Sequence, residues 1–151
     1  DLTTVDADAL QIRLLMQNLI GNALKFRSPG IAPIVSITGD WHDEQTHRNG
    51  DRNGLARTYQ LTVKDNGIGF EPEYAERIFQ VFQRLHGRNE YEGTGVGLAI
   101  CRKIVERHGG SITATGTPGC GATFSIVLPG YQGGDHETQR NDGSAKDGQA
   151  G

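Results

Sequence analysis

The chain is poor in the features that usually assign a sequence quickly. Among 151 residues there are two cysteines, one methionine and one tryptophan. Cys101 and Cys120 do not have metal-ligand spacing, and both are expected to stay reduced in a cytoplasmic setting. No apolar run is long enough to cross a bilayer and no signal-peptide pattern opens the sequence, so no membrane contact is expected of this stretch. Nor is there a basic stripe. A net charge of -3 and a pI near 5.9 argue against a nucleic-acid surface and leave small molecules or proteins as partners. The sequence does not start with Met, which leads us to expect a fragment of a larger parent protein, with any membrane anchor lying elsewhere in that parent. The length suits one core, expected over 1–129, and the glycine-rich polar run 130–151 lacks a core-forming pattern and is expected to be a disordered tail.

Glycine, by contrast, is plentiful, with 22 residues, and its spacing is informative. Gly93, Thr94, Gly95, Val96, Gly97 and Leu98 run straight into an amphipathic helix. In that helix Leu98, Ile100, Cys101, Ile104 and Val105 share a broad face, while Arg102, Lys103, Glu106 and Arg107 lie outside it. Gly109 supplies the stop. Alternate glycines let the backbone turn tightly and present bare N–H groups, and the unpaired donors of the helix's first turn point the same way. A polyphosphate fits such a loop, although a tight connection with no ligand has the same pattern.

Upstream, Asp6 or Asp8 can cap a helix with Leu10, Leu14, Leu15, Leu19, Ala23 and Phe26 on or near one side. Asn18, Asn22 and Lys25 fall at spacings of four and three along one line beside that stripe. They form either an ordinary polar flank or a coordinating row, and asparagine's poor helix propensity favours the second. A strand is predicted from Ile34 to Trp41, followed by a solvated excursion from His42 to Ala56. His42 and His47 in that excursion have neither the packed helix of a phosphoacceptor nor a third metal ligand. Tyr59, Leu61 and Val63 resume the alternation and lead into Asp65, Asn66, Gly67, Ile68, Gly69 and Phe70. This turn is either a plain hairpin corner at Asn66 and Gly67 or a pocket wall with a carboxylate at its mouth, suited to accept from an exocyclic amine. A short helix is expected from Pro72 to Ile78, closed by Phe79 and Phe82. Gln83 to Glu92, with only Leu85 to bury, reads as a mobile flap. Two last strands, Ser111 to Thr115 and Ala122 to Leu128, flank a turn at Gly116, Pro118 and Gly119.

These stretches, in this order, resemble the catalytic ATP-binding domain of sensor histidine kinases, in the superfamily that also holds gyrase, heat-shock chaperone and mismatch-repair ATPases. QNLIGNALKF from Gln17 to Phe26 is similar to the family's asparagine box, DNGIGF from Asp65 to Phe70 to its first glycine box, Phe79, Phe82 and Arg84 to its phenylalanine box, and GTGVGLAI from Gly93 to Ile100 to its second glycine box. The wording from Phe82 to Gly110 is further similar to phytochrome-like and hybrid kinases. The resemblance implies an α/β (α+β) two-layer sandwich, a mixed sheet of about five strands with three helices on one face. It implies that Asp65 reads the adenine amine, with Gly67 and Gly69 beside it, and that Asn22 ligates Mg²⁺. Asn18 and Lys25 lie near the phosphates, Arg84 reaches the γ-phosphate, and Gly93, Thr94, Gly95, Val96, Gly97 and Leu98 line the triphosphate of ATP. Asn22, Lys25 and Arg84 are the expected catalytic residues.

The chain departs from the family pattern in its last motif, where Ala122 stands after Gly119, Cys120 and Gly121 and the hydroxyl comes one place later, at Thr123. Neighbouring strand residues face opposite ways, so the two positions are not interchangeable. Two rival readings remain within the superfamily. Hydrolytic members place a Glu four residues before the Mg-binding Asn, where this chain has Asn18, whose amide cannot take a proton from water. A nucleotide sensor without catalysis is expected to lose the phosphate and metal groups, yet these are present. No phosphoacceptor histidine stands on a helix surface, so the expected partners are a histidine-bearing dimerisation domain of the same parent and, downstream, a response regulator.

Overall fold

The computed structural model describes residues 7–46, 54–81 and 95–130. Helix α1 spans Ala9–Lys25, strand β1 Val35–Thr46, β2 Gly54–Asp65, helix α2 Gly97–Arg107, β3 Ser111–Thr117 and β4 Gly121–Pro129. Of the two candidate caps it is Asp8 that starts α1, its Oδ1 accepting from the N–H groups of Leu10 and Gln11 at 2.9 and 3.0 Å.

Among the described residues the sheet has four strands in the order β1-β2-β4-β3, and every neighbouring pair is antiparallel. The expected mixed sheet of five strands is therefore corrected, and the topology gives the reason. The connection through α2 lays β3 parallel to β2 but leaves a gap between them. The β3–β4 hairpin then folds β4 back into that gap, so no two parallel strands become neighbours. The expected third helix is also corrected. Pro72 to Ile78 divides into two separate 3-10 turns, Pro72–Tyr74 and Arg77–Phe79, because so short a segment cannot offset the cost of α-helical nucleation. In the excursion expected from His42 to Ala56 the described residues are strand, since β1 continues to Thr46 and β2 begins at Gly54, while 47–53 lie outside the described residues. Backbone pairing needs no apolar side chains. Here it is assisted by Asp43 pairing with Arg57 at 3.4 Å, while the Arg57 guanidinium stacks on Trp41 at 4.6 Å.

One face of the sheet is dry. Val63, Ile112, Ala114, Phe124, Ile126 and Leu128 meet Leu15 and Leu19 of α1, Cys101, Ile104 and Val105 of α2, and Ile78 and Phe79 of the second 3-10 turn. The other face is tiled with hydroxyls, and the row Thr38, Thr62, Ser125, Thr113 crosses all four strands. Leu10 and Leu14, placed on the apolar side of α1 by periodicity, are 74% and 42% exposed, so the buried stripe is the narrower line Leu15, Leu19, Ala23. Each fully buried Leu, Val or Ile contributes about 1.5–3 kcal/mol, whereas partly exposed ion pairs such as Arg102 with Glu76 contribute about 0–1 kcal/mol. Apolar burial carries the fold.

The two helices run antiparallel and touch along their length. Gly97 faces Asn18, the Cys101 thiol points at the Leu15 carbonyl at 3.9 Å, and the Asp8 N–H donates to His108 Nε2 at 3.0 Å. Since Nε2 accepts, Nδ1 carries the proton, which it donates to the Ile104 carbonyl at 2.7 Å.

Two predictions follow from this packing. Burial pushes the Cys101 thiol up to about 12, so it stays protonated and inaccessible. A disulfide reagent is expected to titrate Cys120 in the native chain and Cys101 only after unfolding; two fast-reacting thiols would contradict this. The Asp8 carboxyl is held below its usual pKa by the Gln11 N–H first; desolvation, the next largest effect, opposes the shift, and the Leu10 N–H adds to it. A depressed folded-state pKa gives stability that is present above the unfolded pKa, about 3.9, and is lost as pH falls through the folded value. In urea melts, the advantage of wild type over Asp8→Ala is expected to hold from neutrality to about pH 4 and to shrink below it.

Candidate functional site

The site is assembled where the end of β2, the C-terminal half of α1 and the start of α2 converge. Helical spacing sets Asn18, Asn22 and Lys25 on one line of α1. The Asn22 amide has no hydrogen-bond partner among the described residues. Asn18 is differently employed: its Nδ2 donates to the Leu14 carbonyl at 2.9 Å, and its Oδ1 lies so close to α2 that a Cβ on Gly97 would come within 2.7 Å. The Lys25 ammonium rests over the Phe26 ring at 4.8 Å.

Asp65 is the last residue of β2, half-buried, and its two oxygens are unequal. Oδ1 accepts from the Gly67 N–H at 2.8 Å and from the Ala122 N–H at 3.1 Å, whereas Oδ2 has no partner among the described residues. The loop after it is held by backbone bonds: the Ile68 N–H donates to the Phe26 carbonyl at 2.9 Å, and the Gly119 N–H to the Ile68 carbonyl at 2.8 Å. Glycine is required here by close approach. A Cβ at Gly67 would overlap the Phe26 carbonyl, and one at Gly69, whose φ is +63°, would overlap the Thr117 carbonyl. Asn66 is more than the corner of a hairpin. Its side chain accepts from the Ile34 N–H at 2.8 Å and donates to the Ala32 carbonyl at 3.0 Å, fixing the approach to β1. The aromatic ring of Phe70 packs on the core and against Gly116, so it serves as scaffold as well as wall.

At the start of α2, Gly95 has φ +73°, and neither a capping side chain nor an acidic residue serves the first turn at Val96, Gly97 and Leu98. Those N–H groups are available to an anion. Thr123 pairs with Lys64 and Thr115 on the hydroxyl face, away from Asp65, while Ala122 beside it supplies the N–H that holds the carboxylate. Of the sequence-derived site residues, Asn18, Asn22 and Lys25 line up along α1, with Asn18 against Gly97 at the start of α2, where Gly95, Val96 and Leu98 also lie, and with Phe26, next to Lys25, against Gly67 in the loop that runs from Asp65 to Gly69. Arg84, Gly93 and Thr94, with Phe82 and the expected flap, lie outside the described residues. Two contributors were missed by sequence reasoning, Asn66 and the backbone of Ala122. An asparagine directly after a strand-ending aspartate was a usable signal for the first; a backbone donor 57 positions from its acceptor left none for the second.

Residues 7–132 match the family model of the Histidine kinase-, DNA gyrase B-, and HSP90-like ATPases, and the chain belongs to that family. Within it, the chain is 46% identical over 93% of its length to cyanobacterial phytochrome A of Nostoc sp., and 43% identical over 83% to the phytochrome-like protein Cph1 of Synechocystis sp.. It is also 38% identical over 85% to the adaptive-response sensory kinase SasA of Prochlorococcus marinus. The chain spans only 16%, 15% and 30% of the lengths of those three relatives. Among solved structures it is similar to the mycobacterial sensor histidine kinase MprB, with a TM-score of 0.61 at 26% identity over 83% of this chain and 74% of that one. It is also similar to full-length ShkA in complex with AMPPNP, with a TM-score of 0.63 at 29% identity over 85% of this chain and 23% of that one.

The close approaches around Asp65 can be weighed against conformational strain alone. Gly69→Ala meets both a positive φ and backbone carbonyls that cannot move aside, while Gly119→Ala, at φ +75°, meets only open space. Gly119→Ala is expected to cost about 1–2 kcal/mol, the strain of a left-handed conformation, and Gly69→Ala clearly more. Equal urea midpoints for the two variants would show that the approach at Gly69 does not constrain the site.

Proposed function

We propose that this chain is the catalytic ATP-binding domain of a sensor histidine kinase, giving the γ-phosphate of Mg-ATP to a histidine on a separate dimerisation domain of its parent. The observation that carries this reading is a pair of unlike groups set along α1: at Asp65, beside the loop packed on Phe26, a carboxylate oxygen without a partner among the described residues, and at Val96 to Leu98, facing Asn18, an uncapped helix start. The first suits the amine of adenine and the second suits polyphosphate. The kinase relatives, and a structural neighbour solved with AMPPNP, support it.

The residues present fit a magnesium ion carried in with the nucleotide. Among the described residues no group of three or more His, Cys, Asp or Glu is placed to hold a metal. Mg²⁺ commonly keeps several waters and takes one or two protein oxygens beside substrate phosphates, and the unpartnered amide of Asn22 provides one. Bound there, it would neutralise developing charge on the phosphates. Lys25 adds a cation one turn further along α1, and Arg84 is assigned by resemblance to the γ-phosphate. Phosphoryl transfer asks chiefly for alignment and charge neutralisation, so no nucleophile from this chain is needed.

The geometry of Asn18 favours transfer over hydrolysis. It occupies the place of a general base but is an amide, and its hydrogen bond to Leu14 and its contact with Gly97 make it a spacer between the helices. The γ-phosphate is thereby kept for an outside acceptor. We infer a cytoplasmic location for this domain, with any membrane anchor elsewhere in the parent. No helix among the described residues is long and apolar enough to cross a membrane. The response regulator downstream and a tail over 130–151 outside the catalytic domain belong to the same proposal.

With radiolabelled ATP, the isolated chain is expected to bind nucleotide in a Mg-dependent way, to hydrolyse it slowly and to acquire no acid-labile label. Adding a separately made, cognate histidine-bearing domain is expected to yield phosphohistidine on that domain, and Asn22→Ala to lower this transfer by about a hundredfold or more, the scale seen when a group stabilising transition-state charge is lost. Brisk turnover by the chain alone, or phosphohistidine on the chain itself, would refute the assignment.

A further inference from the structure

Three contacts described above hold α2 on α1, and they step down one helix as they step up the other: His108 with Asp8, Cys101 with Leu15, and Gly97 with Asn18. The series stops where α2 begins. Asn22, one turn beyond Asn18 on α1, therefore lies past the start of α2. Of the three contacts, the one at Gly97 is nearest to the gap in which the nucleotide reading above places the triphosphate.

Backbone conformation does not explain glycine at this position. Gly95 has φ +73°, a left-handed value, whereas Gly97 is the first residue of α2 and its φ is not positive. Alanine is the better helix former. What excludes a larger residue is one side chain: among the described residues a Cβ on Gly97 would meet only Asn18, with Oδ1 at 2.7 Å. Neither partner is free to step aside. The Asn18 amide is held by its Nδ2 bond to the Leu14 carbonyl at 2.9 Å, and α2 is seated by Cys101 and Val105, both wholly buried.

We propose that Asn18 and Gly97 are a pair of positioning residues that sets the width of the phosphate gap. Glycine stands at 97 to admit the Asn18 side chain rather than the ligand, and the contact fixes how far the first-turn N–H groups of α2 stand from Asn22 on α1. This deepens the nucleotide reading and rests on it. A methyl group at 97 displaces either the Asn18 amide or the start of α2, and in both cases the donors and the Asn22 amide lose their spacing. With a shorter residue at 18 the same methyl has room. The need for glycine at 97 is therefore conditional on residue 18, whereas a glycine kept bare for a phosphate is needed whatever residue 18 is.

The test is a double-mutant cycle on the full chain, Asn18→Ser against Gly97→Ala, with urea midpoints and calorimetric titration of Mg-ATP on all four forms. Serine is short enough to clear the methyl and can still bond the Leu14 carbonyl. Gly97→Ala alone is expected to weaken Mg-ATP about tenfold, the scale of one lost hydrogen bond. In the Asn18→Ser background the same change is expected to alter affinity by less than about twofold, and the loss in urea midpoint to disappear with it. Equal losses of affinity in both backgrounds, or none in either, overturn the inference and leave the nucleotide reading intact. So does an Asn18→Ser chain that folds but binds no Mg-ATP, since Asn18 is then a ligand group. If Gly97→Ala does not fold, the double variant decides: a folded double variant supports the pair, and an unfolded one overturns it. Wild type that binds no Mg-ATP overturns the nucleotide reading and the inference with it.

Discussion

Everything in the site depends on three pieces of backbone coming closer together than any side chain would allow. The end of α1, the loop after β2 and the β3–β4 turn meet at Phe26, Gly67 to Gly69 and Thr117 to Gly121, where carbonyls occupy the space that a Cβ would need. Backbone hydrogen bonds at Ile68 and Gly119 lock the arrangement, and Asp65 sits at its centre with one oxygen committed to the scaffold. Glycine here is a requirement of distance as much as of dihedral angle, since Gly67 has no positive φ but tolerates no Cβ either.

Binding chemistry and folding are thereby divided between different groups. Stability comes from apolar contacts between one sheet face and the helices, with Leu15, Leu19, Val105 and Ile126 almost wholly buried. The polar residues of the row on α1 lie at the margin of that core and contribute little to it. Asn18 is the exception, because its amide bonds back to Leu14 on its own helix while its oxygen abuts Gly97 of α2.

Much of this could be read from the sequence, for identifiable reasons. The site motifs are local, and local spacing fixes local geometry: Asn18, Asn22 and Lys25 had to align once α1 formed, and Asp65 had to end a strand once Tyr59, Leu61 and Val63 alternated. Asp8 could be placed as a cap to within two residues. What was not legible depends on distant partners. The strand character of His42 to Thr46 comes from pairing with β2, and the exposure of Leu10 and Leu14 from where α2 lies against α1. The sheet's all-antiparallel pairing follows from where β4 inserts, which no window of residues contains.

That insertion has a consequence for how the protein comes into being. The strand that fills the slot between β2 and β3 is the last among the described residues, and it carries the N–H of Ala122. A polypeptide emerging N-terminus first presents Asp65 and Gly67 long before that donor exists, so for that interval the carboxylate has only one of its two backbone partners within reach. Closure of the final hairpin supplies the other. A chain interrupted between the end of α2 and the start of β4 keeps all four family motifs and lacks the donor that ties Asp65 to the β3–β4 turn.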